Sequence, residues 1–161
     1  AKVNYYKKIS SEDKSFFIST IGKLRGLKED SEPSWGRMTP QHMVEHIVGS
    51  WRISNGRARI PVKLEGEELQ KRRDFLFSDM PYRRNIQNPI FKDGELPKLR
   101  KPSLEAAINQ LDDEMTAFFE YHDNNPGAIE NHPVFGALNF DEWMLFQTKH
   151  MKHHLEQFDV L

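Results

Sequence analysis

The chain contains no cysteine and no long apolar run among its 161 residues. Without a thiol it can form no disulfide, no thiolate metal site and no cysteine nucleophile. No stretch approaches the roughly 20 apolar residues that a membrane-spanning helix needs, and residues 1–8 lack the apolar core of a signal peptide. We therefore expect a cytoplasmic protein that has no membrane partner.

The sequence also lacks a strong net charge, because 23 Lys and Arg residues nearly balance 24 Asp and Glu residues. This balance, together with the absence of a basic recognition helix, predicts that nucleic acid is not a partner. The charge is uneven, however: residues 57–102 carry 12 basic and 7 acidic residues, whereas residues 103–161 carry 2 and 11. We interpret the basic middle as a solvated crossover segment, with attraction of an anionic small molecule as the alternative.

What the sequence does contain indicates one globular domain over residues 1–161. Hydrophobic residues make up 37% of the chain, and eleven Phe and three Trp among them are enough for a moderate core. Apolar residues recur at helical spacing and follow cap residues, which predicts four long helices and one short helix. The long helices are predicted at 10–25, 40–55, 104–122 and 139–158, and the short one at 65–77.

No stretch has the pattern of a convincing strand, so we predict an all-α four-helix bundle. The crossover between the second and third long helices, residues 57–102, is proline-rich, irregular and long enough to cover the mouth of a pocket. The loop between the last two long helices is short by comparison. We therefore expect these two helices to be antiparallel neighbours.

The last predicted helix carries three of the seven histidines, His150, His153 and His154. At about 100° per residue, His150 and His154 share an inward face with Trp143, whereas Lys149 falls on the opposite face, where water is expected. Two inward imidazoles need a hydrogen-bond partner, a metal ion or an opening to solvent. Their i, i+4 spacing is also how one helix offers two nitrogen ligands to one metal.

A third histidine, His46, is predicted on the inner face of the second helix. Three imidazoles from two helices would leave coordination positions open for water or substrate, which is typical of catalytic metal sites. We therefore predict a divalent metal site on His46, His150 and His154. Zinc suits these ligands best, with nickel, iron or manganese as alternatives.

No catalytic base can be assigned from the sequence, and three further histidines are candidates: His42, His132 and His153. We interpret His153 as an edge residue of the last helix and His132 as a structural residue of its loop. The run from His42 to His46 formally matches the H-x-x-E-H pattern of inverted zinc peptidases. We reject that match, because Glu45 is expected to point away from His46 into solvent.

Two arginine pairs, Arg72–Arg73 and Arg83–Arg84, lie in the crossover. Either pair could clamp a phosphate or a carboxylate, since guanidinium groups bind such anions through two parallel hydrogen bonds. Exposed pairs are more often simply solvated, and that is our interpretation of both. The sequence has no Gly-rich phosphate loop and no dinucleotide-binding fingerprint.

Several stretches resemble one bacterial branch, a domain of unknown function, of the DinB/YfiT-like superfamily. They are Trp35-Gly-Arg-Met-Thr-Pro-Gln-His-Met-Val-Glu-His46, His132-Pro-Val-Phe-Gly136, Glu142-Trp143 and His150-Met-Lys-His-His-Leu-Glu-Gln-Phe158. The resemblance is weakest across residues 57–102. It implies a four-helix bundle with up-down-down-up connectivity and a divalent metal held by three histidines, which match His46, His150 and His154.

The resemblance leads to two hypotheses about function. Its characterised relatives include metal-dependent thiol transferases that use glutathione, mycothiol or bacillithiol, and a maleylpyruvate isomerase, while others are described as metal-dependent hydrolases. The first hypothesis is therefore a metal-dependent hydrolase or thiol transferase with a small-molecule substrate; any thiol must be an external low-molecular-weight one. The alternative is a non-catalytic helical binding or stress-response module with a structural metal or none. Many relatives form dimers, so the resemblance also allows a homodimer.

Overall fold

The computed structural model describes residues 13–84 and 95–161, and in that part the chain forms five helices and one small hairpin. The predicted start of the first helix, residues 10–12, lies outside the described residues. The helices are α1 (Asp13–Arg25), α2 (Pro40–Ser54), α3 (Gly66–Leu76), α4 (Leu104–Asn124) and α5 (Phe140–Gln157), and the strands are β1 (Glu130–His132) and β2 (Gly136–Leu138). The all-α prediction is confirmed, because the strands are only three residues each.

Local capping interactions begin three of the helices where the sequence predicts them. The Thr39 hydroxyl accepts a hydrogen bond from a backbone N–H of α2, which has proline at its first position. Ser103 does the same for α4. At the start of α5, Asn139 and Glu142 each accept a hydrogen bond from the other's backbone N–H, which forms the predicted capping box.

The core is formed where α1 and α2 pack against α4 and α5. Trp51 is fully buried at its centre, with its ring at right angles to Phe17 (centroids 5.0 Å apart) and Phe118 (5.2 Å). Such edge-to-face contacts add to the burial of a large apolar surface. A Trp51→Ala substitution should therefore cost about 3–5 kcal/mol of folding free energy.

The relative placement of α4 and α5 differs from the prediction. The close helix pairs are α2–α4, α1–α4, α2–α5 and α1–α5, so α4 and α5 occupy opposite corners of the bundle rather than neighbouring ones. The connection between them is residues 125–139, which includes the hairpin. Because this connection is long enough to cross the end of the bundle, it does not force its two helices together.

A two-stranded hairpin replaces the compact loop that we predicted at residues 131–138. The strands β1 and β2 pair antiparallel, with His132 opposite Gly136. In the turn, Nδ1 of His132 accepts hydrogen bonds from the backbone N–H groups of Val134 (3.0 Å) and Phe135 (3.3 Å). Gly136 has φ +76°, which favours glycine. Strands of three residues are too short for alternation to reveal them in a sequence.

Part of the crossover covers the side of α5 that was predicted to face water. Lys149 on that side is only 9% exposed. Its ammonium donates to the backbone carbonyls of Phe75 (3.2 Å), in the last turn of α3, and of Ser78 (2.9 Å) and Met80 (2.7 Å), just past its end. Burial lowers the pKa of Lys149. The prediction of an exposed Lys149 was wrong because helical periodicity carries no information about which segment packs over a face.

Glu45 was also predicted to be solvated, and it is buried instead. Its carboxylate accepts hydrogen bonds from the backbone N–H groups of Arg100 (2.7 Å) and Lys101 (3.2 Å) and from the side chain of Gln41 (2.9 Å). Burial alone would raise the pKa of Glu45, but these hydrogen bonds outweigh it and lower the pKa. Glu45 therefore attaches the end of the crossover to α2.

The Arg72–Arg73 pair is not a free anion clamp. The Arg73 guanidinium donates to the backbone carbonyls of Phe135 and Ala137 at 2.9 Å and pairs with Glu142 at 2.9 Å. It therefore joins α3, the hairpin and the start of α5.

None of the helices in the described ranges combines the length and apolar character that crossing a bilayer requires.

Candidate metal centre

The three histidines that were predicted as metal ligands meet between α2 and α5. Nε2 of His150 lies 3.1 Å from Nε2 of His46 and 3.1 Å from Nε2 of His154. His150 and His154 are one turn apart on α5, so their rings project on the same side of that helix. We call these three residues the histidine cluster, and they could hold a metal ion.

The spacing of the nitrogens is compatible with one shared divalent cation, since two separations are 3.1 Å and all three ligand atoms lie within 4.8 Å of one another. Zn–N distances of about 2.0–2.1 Å in a tetrahedral site place neighbouring nitrogens about 3.4 Å apart. Without a cation, the contacts are poorly satisfied, because a neutral imidazole carries one proton and His150 Nε2 faces two other nitrogens. A cation between the rings would instead accept a lone pair from each of them.

Gln157 orients His154 toward the cluster. Its side-chain amide donates from Nε2 to the backbone carbonyl of Trp35 (3.0 Å), which leaves Oε1 to accept from Nδ1–H of His154 (2.9 Å). With the proton on Nδ1, the Nε2 lone pair of His154 faces the other two rings. Hydrogen bonds of this kind to the outer nitrogen of a ligating histidine set its tautomer and ring orientation.

His150 is the most enclosed member of the cluster. Its ring stacks on Phe146, with centroids 5.0 Å apart and planes at 28°. Its Nδ1 is buried and has no hydrogen-bond partner in the described part of the chain. A buried polar atom without a partner costs stability, which indicates that His150 serves ligand binding rather than the stability of the fold.

The protonation state of the cluster favours metal binding. Burial, reinforced by the neighbouring imidazoles, lowers the pKa of His46 to about 4 and that of His154 to about 3. For His150 the same causes place the pKa well below its ordinary value. All three rings are therefore neutral near pH 7 and have a lone pair available, as metal ligation requires.

His46 is exposed to solvent although burial is the main cause of its lowered pKa. The two observations differ because a ring can be crowded by protein atoms and still be reached by water from one side. The histidine cluster therefore opens to solvent at His46, while His150 and His154 form its buried side.

Four side chains border the cluster on one side, and we call them the rim: Trp35, Tyr82, Arg84 and His153. The ring of His153 is half-buried, and its centroid lies 5.3 Å from that of the Trp35 ring and 5.5 Å from that of the Tyr82 ring. The Arg84 guanidinium lies over the Trp35 ring, 4.2 Å from its centroid. The crossover thus contributes two members of the rim, Tyr82 and Arg84.

The rim contacts two ligand candidates directly. The His153 ring lies 5.0 Å from the His154 ring, and the Tyr82 ring lies 6.0 Å from the His150 ring. Burial lowers the pKa of His153 and raises that of Tyr82. The crossover therefore places one of its side chains, Tyr82, beside His150.

The structure separates the three candidate catalytic histidines. His153 is in the rim. His42 lies at the start of α2, where its Nδ1 is hydrogen-bonded to the hydroxyl of Thr39 at 2.7 Å. His132 is in the hairpin, and its ring packs on Phe146 (4.4 Å), which lies between it and His150. Burial lowers the pKa of His132 to about 3.

Sequence reasoning missed two residues that matter for this site. Gln157 follows His154 by three residues, so it lies on the same side of α5, and that spacing could have identified it. Tyr82 has no comparable signal, because it belongs to an irregular segment with no periodicity. Its position over His150 depends on how Lys149 attaches residues 75–80 to α5.

Comparison with known protein families agrees with the geometry. A family model described as the DinB superfamily matches residues 29–158, a range that contains the histidine cluster, the rim and Gln157. Separate searches of curated proteins and of solved structures returned no significant match. The family match covers most of the 161 residues, and the helical bundle is consistent with it. The chain therefore belongs to the DinB superfamily.

Proposed function

We propose that this protein is a divalent-metal-dependent enzyme, of hydrolase or thiol transferase type, that acts on a small molecule. The observation that carries this proposal is the convergence of three neutral Nε2 atoms at a place that solvent can reach. His46, His150 and His154 would hold the ion. Zinc suits three imidazoles best, and nickel, iron or manganese are alternatives.

The number of ligands favours a catalytic site over a structural one. Structural zinc sites use four protein ligands, whereas catalytic sites use three and leave a position open. Within the described ranges, the group that could hold an ion consists of the three histidines alone. A divalent ion there would supply Lewis-acid chemistry, polarising a substrate and favouring a water or thiol nucleophile near neutral pH.

The surrounding residues have separate tasks in this proposal. Gln157 keeps the His154 lone pair directed inward, and the rings of Phe146 and Tyr82 keep water away from the buried side of His150. His153 is our first candidate for moving a proton, because it alone of the three candidates is in ring contact with the cluster. His42 and His132 are weaker candidates, since Nδ1 of each has a structural hydrogen bond.

Metal analysis of protein purified without a nickel column tests the proposal. We expect about one equivalent of metal per chain in the wild type and almost none in His150→Ala, because two imidazoles bind far more weakly than three. Gln157→Leu should retain a site with about tenfold weaker affinity, as expected for the loss of an orienting hydrogen bond.

The matched control is His42→Ala, which removes a histidine from the same helix as His46 without touching the cluster. It should bind as much metal as the wild type does. If the wild type takes up no stoichiometric metal, and His150→Ala unfolds at the wild-type temperature, the proposal is wrong. The non-catalytic binding module would then be the better hypothesis.

A further inference from the structure

With a divalent ion bound, the groups around the histidine cluster would carry more positive than negative charge. The three ligand candidates are neutral imidazoles, which leave a bound ion its full double charge. The rim adds one guanidinium, Arg84, and one carboxylate, that of Glu156, acts electrostatically on His153 of the rim. Such a site has an excess of positive charge that a bound anionic molecule would offset.

Arg84 differs from the arginines that serve the fold. Five others, Arg52, Arg57, Arg59, Arg73 and Arg100, each form an ion pair with a glutamate. Arg84 forms none with a carboxylate of the described residues. Its guanidinium lies instead over the face of Trp35, 4.2 Å from the ring centroid.

This stacking leaves the guanidinium suited to bind an anion. A guanidinium packed on an aromatic ring uses its flat face, so its N–H groups remain available at the edge. The same contact limits the motion of a long side chain, which reduces the entropy lost when a ligand binds. Trp35 is itself held at its backbone carbonyl by Gln157, the residue that orients His154.

A series of side-chain contacts connects the guanidinium with the cluster. Arg84 follows Tyr82 by two residues, and the Tyr82 ring lies 6.0 Å from the His150 ring. On the other side, Trp35 connects Arg84 to His153, which adjoins His154. A small molecule held at the cluster could therefore extend along the rim to Arg84.

We propose that Arg84, stacked on Trp35, is a specificity-determining residue that binds a carboxylate on the substrate or co-substrate, at the end remote from the histidine cluster. This inference rests on the proposed function, because it requires the reacting end of the ligand to be at the cluster. A carboxylate is favoured over a phosphate because it carries a single negative charge, which one guanidinium balances, and the rim contains no second cation for a dianion.

Binding to the cobalt-loaded protein tests this inference without any assay of activity. The probes are straight-chain ω-mercapto carboxylates and ω-mercapto alcohols of matched length, and the readout is the visible absorption of cobalt as the thiol binds. In the wild type, the acid should bind about tenfold more tightly than the alcohol once the chain is long enough to reach Arg84. Shorter mercapto carboxylates, which do not reach Arg84, should show a smaller preference over their matched alcohols. That smaller preference measures the attraction between the carboxylate and the cobalt ion alone.

Arg84→Gln should remove the added preference for the long acids and leave binding of the alcohols unchanged. Arg83→Gln is the matched control, since it removes the same charge one residue away from the contact with Trp35, and it should behave like the wild type. Cobalt uptake with equal binding of acid and alcohol, or with a preference that Arg84→Gln retains, overturns this inference and leaves the proposed function standing. Failure of the wild type to take up cobalt overturns both.

Discussion

Two buried polar clusters lie along α2, the histidine cluster near its middle and a carboxylate cluster near its C-terminal end. They differ in whether the protein itself supplies hydrogen-bond or ion-pair partners for their polar atoms. In the carboxylate cluster, Glu114 of α4 is 3% exposed and is paired with Arg52 (3.3 Å), Arg57 (2.8 Å) and the amide of Asn55 (3.0 Å). In the histidine cluster, the facing atoms are all imidazole nitrogens, and one outer nitrogen has no partner in the described part of the chain.

The difference shows how a structural polar cluster can be distinguished from a binding site. The carboxylate of Glu114 meets cations and N–H donors, so the protein alone satisfies it. The histidine cluster directs lone pairs toward one another, and an added cation satisfies them best. A polar cluster that the folded chain leaves incomplete is a candidate for ligand binding.

The largest expected effect separates the two clusters by their response to zinc. Zinc at about a thousand times its dissociation constant should stabilise the wild type by about 4 kcal/mol, which corresponds to a rise in Tm of roughly 8–16 °C. His150→Leu should lose this rise, and Glu114→Ala should keep it from a lower starting Tm. Thermal unfolding with zinc and with a chelator measures both. An unchanged rise in His150→Leu would contradict the assignment of His150 as a ligand.

A smaller effect concerns the protein without metal. Glu114→Ala should lower the free energy of unfolding by about 1–2 kcal/mol, because it removes the carboxylate that Arg52, Arg57 and Asn55 share, while Asn55 keeps the backbone carbonyl of residue 114 and both arginines can reach water. His150→Leu should cost less than about 1 kcal/mol or stabilise the protein, since an apolar side chain replaces an unpartnered nitrogen. Urea unfolding in the presence of a chelator compares the two. Equal losses would remove the distinction between the clusters.

The smallest expected effect uses His132, a buried histidine that resembles the carboxylate cluster in being satisfied by the chain. Its pKa is lowered to about 3 by burial, whereas an unfolded histidine titrates near about 6.5. The unfolded state therefore binds the proton first, and stability that is complete above pH 6.5 is lost as the pH falls toward 3, by up to about 2 kcal/mol at pH 5.

His132→Asn provides the comparison for this pH dependence. Asparagine can still accept a hydrogen bond in the turn but does not titrate, so the variant should lose less stability between pH 7.5 and pH 5 than the wild type does. Urea unfolding of metal-free protein at both pH values gives the difference. The explanation fails if the two proteins lose the same amount.

The parts of the fold that depend on local interactions were predictable. Thr39 before Pro40, Ser103 after Pro102, and Asn139 with Glu142 begin their helices as expected, because a cap involves atoms within a few residues of one another. The inward position of His150 and His154 is local in the same sense. It follows from the repeat of one helix and the apolar residues beside them.

The parts that depend on distant segments were not predictable. Lys149 and Glu45 were assigned to solvent, and both are covered by the crossover. The diagonal placement of α4 and α5 likewise depends on the connection across the end of the bundle. In each case the exposure or position of a residue is decided by a segment far away in sequence.

The candidate site combines both kinds of information. The sequence by itself determined that two imidazoles one turn apart lie on the inner face of α5, because helical geometry sets that direction. Only the tertiary structure decided that His46 reaches His150 from α2 at 3.1 Å, that Gln157 orients His154, and that the rim leaves His46 open to solvent. The physical reason is that a ligand set requires distances between separate elements, and those distances follow from how the helices pack.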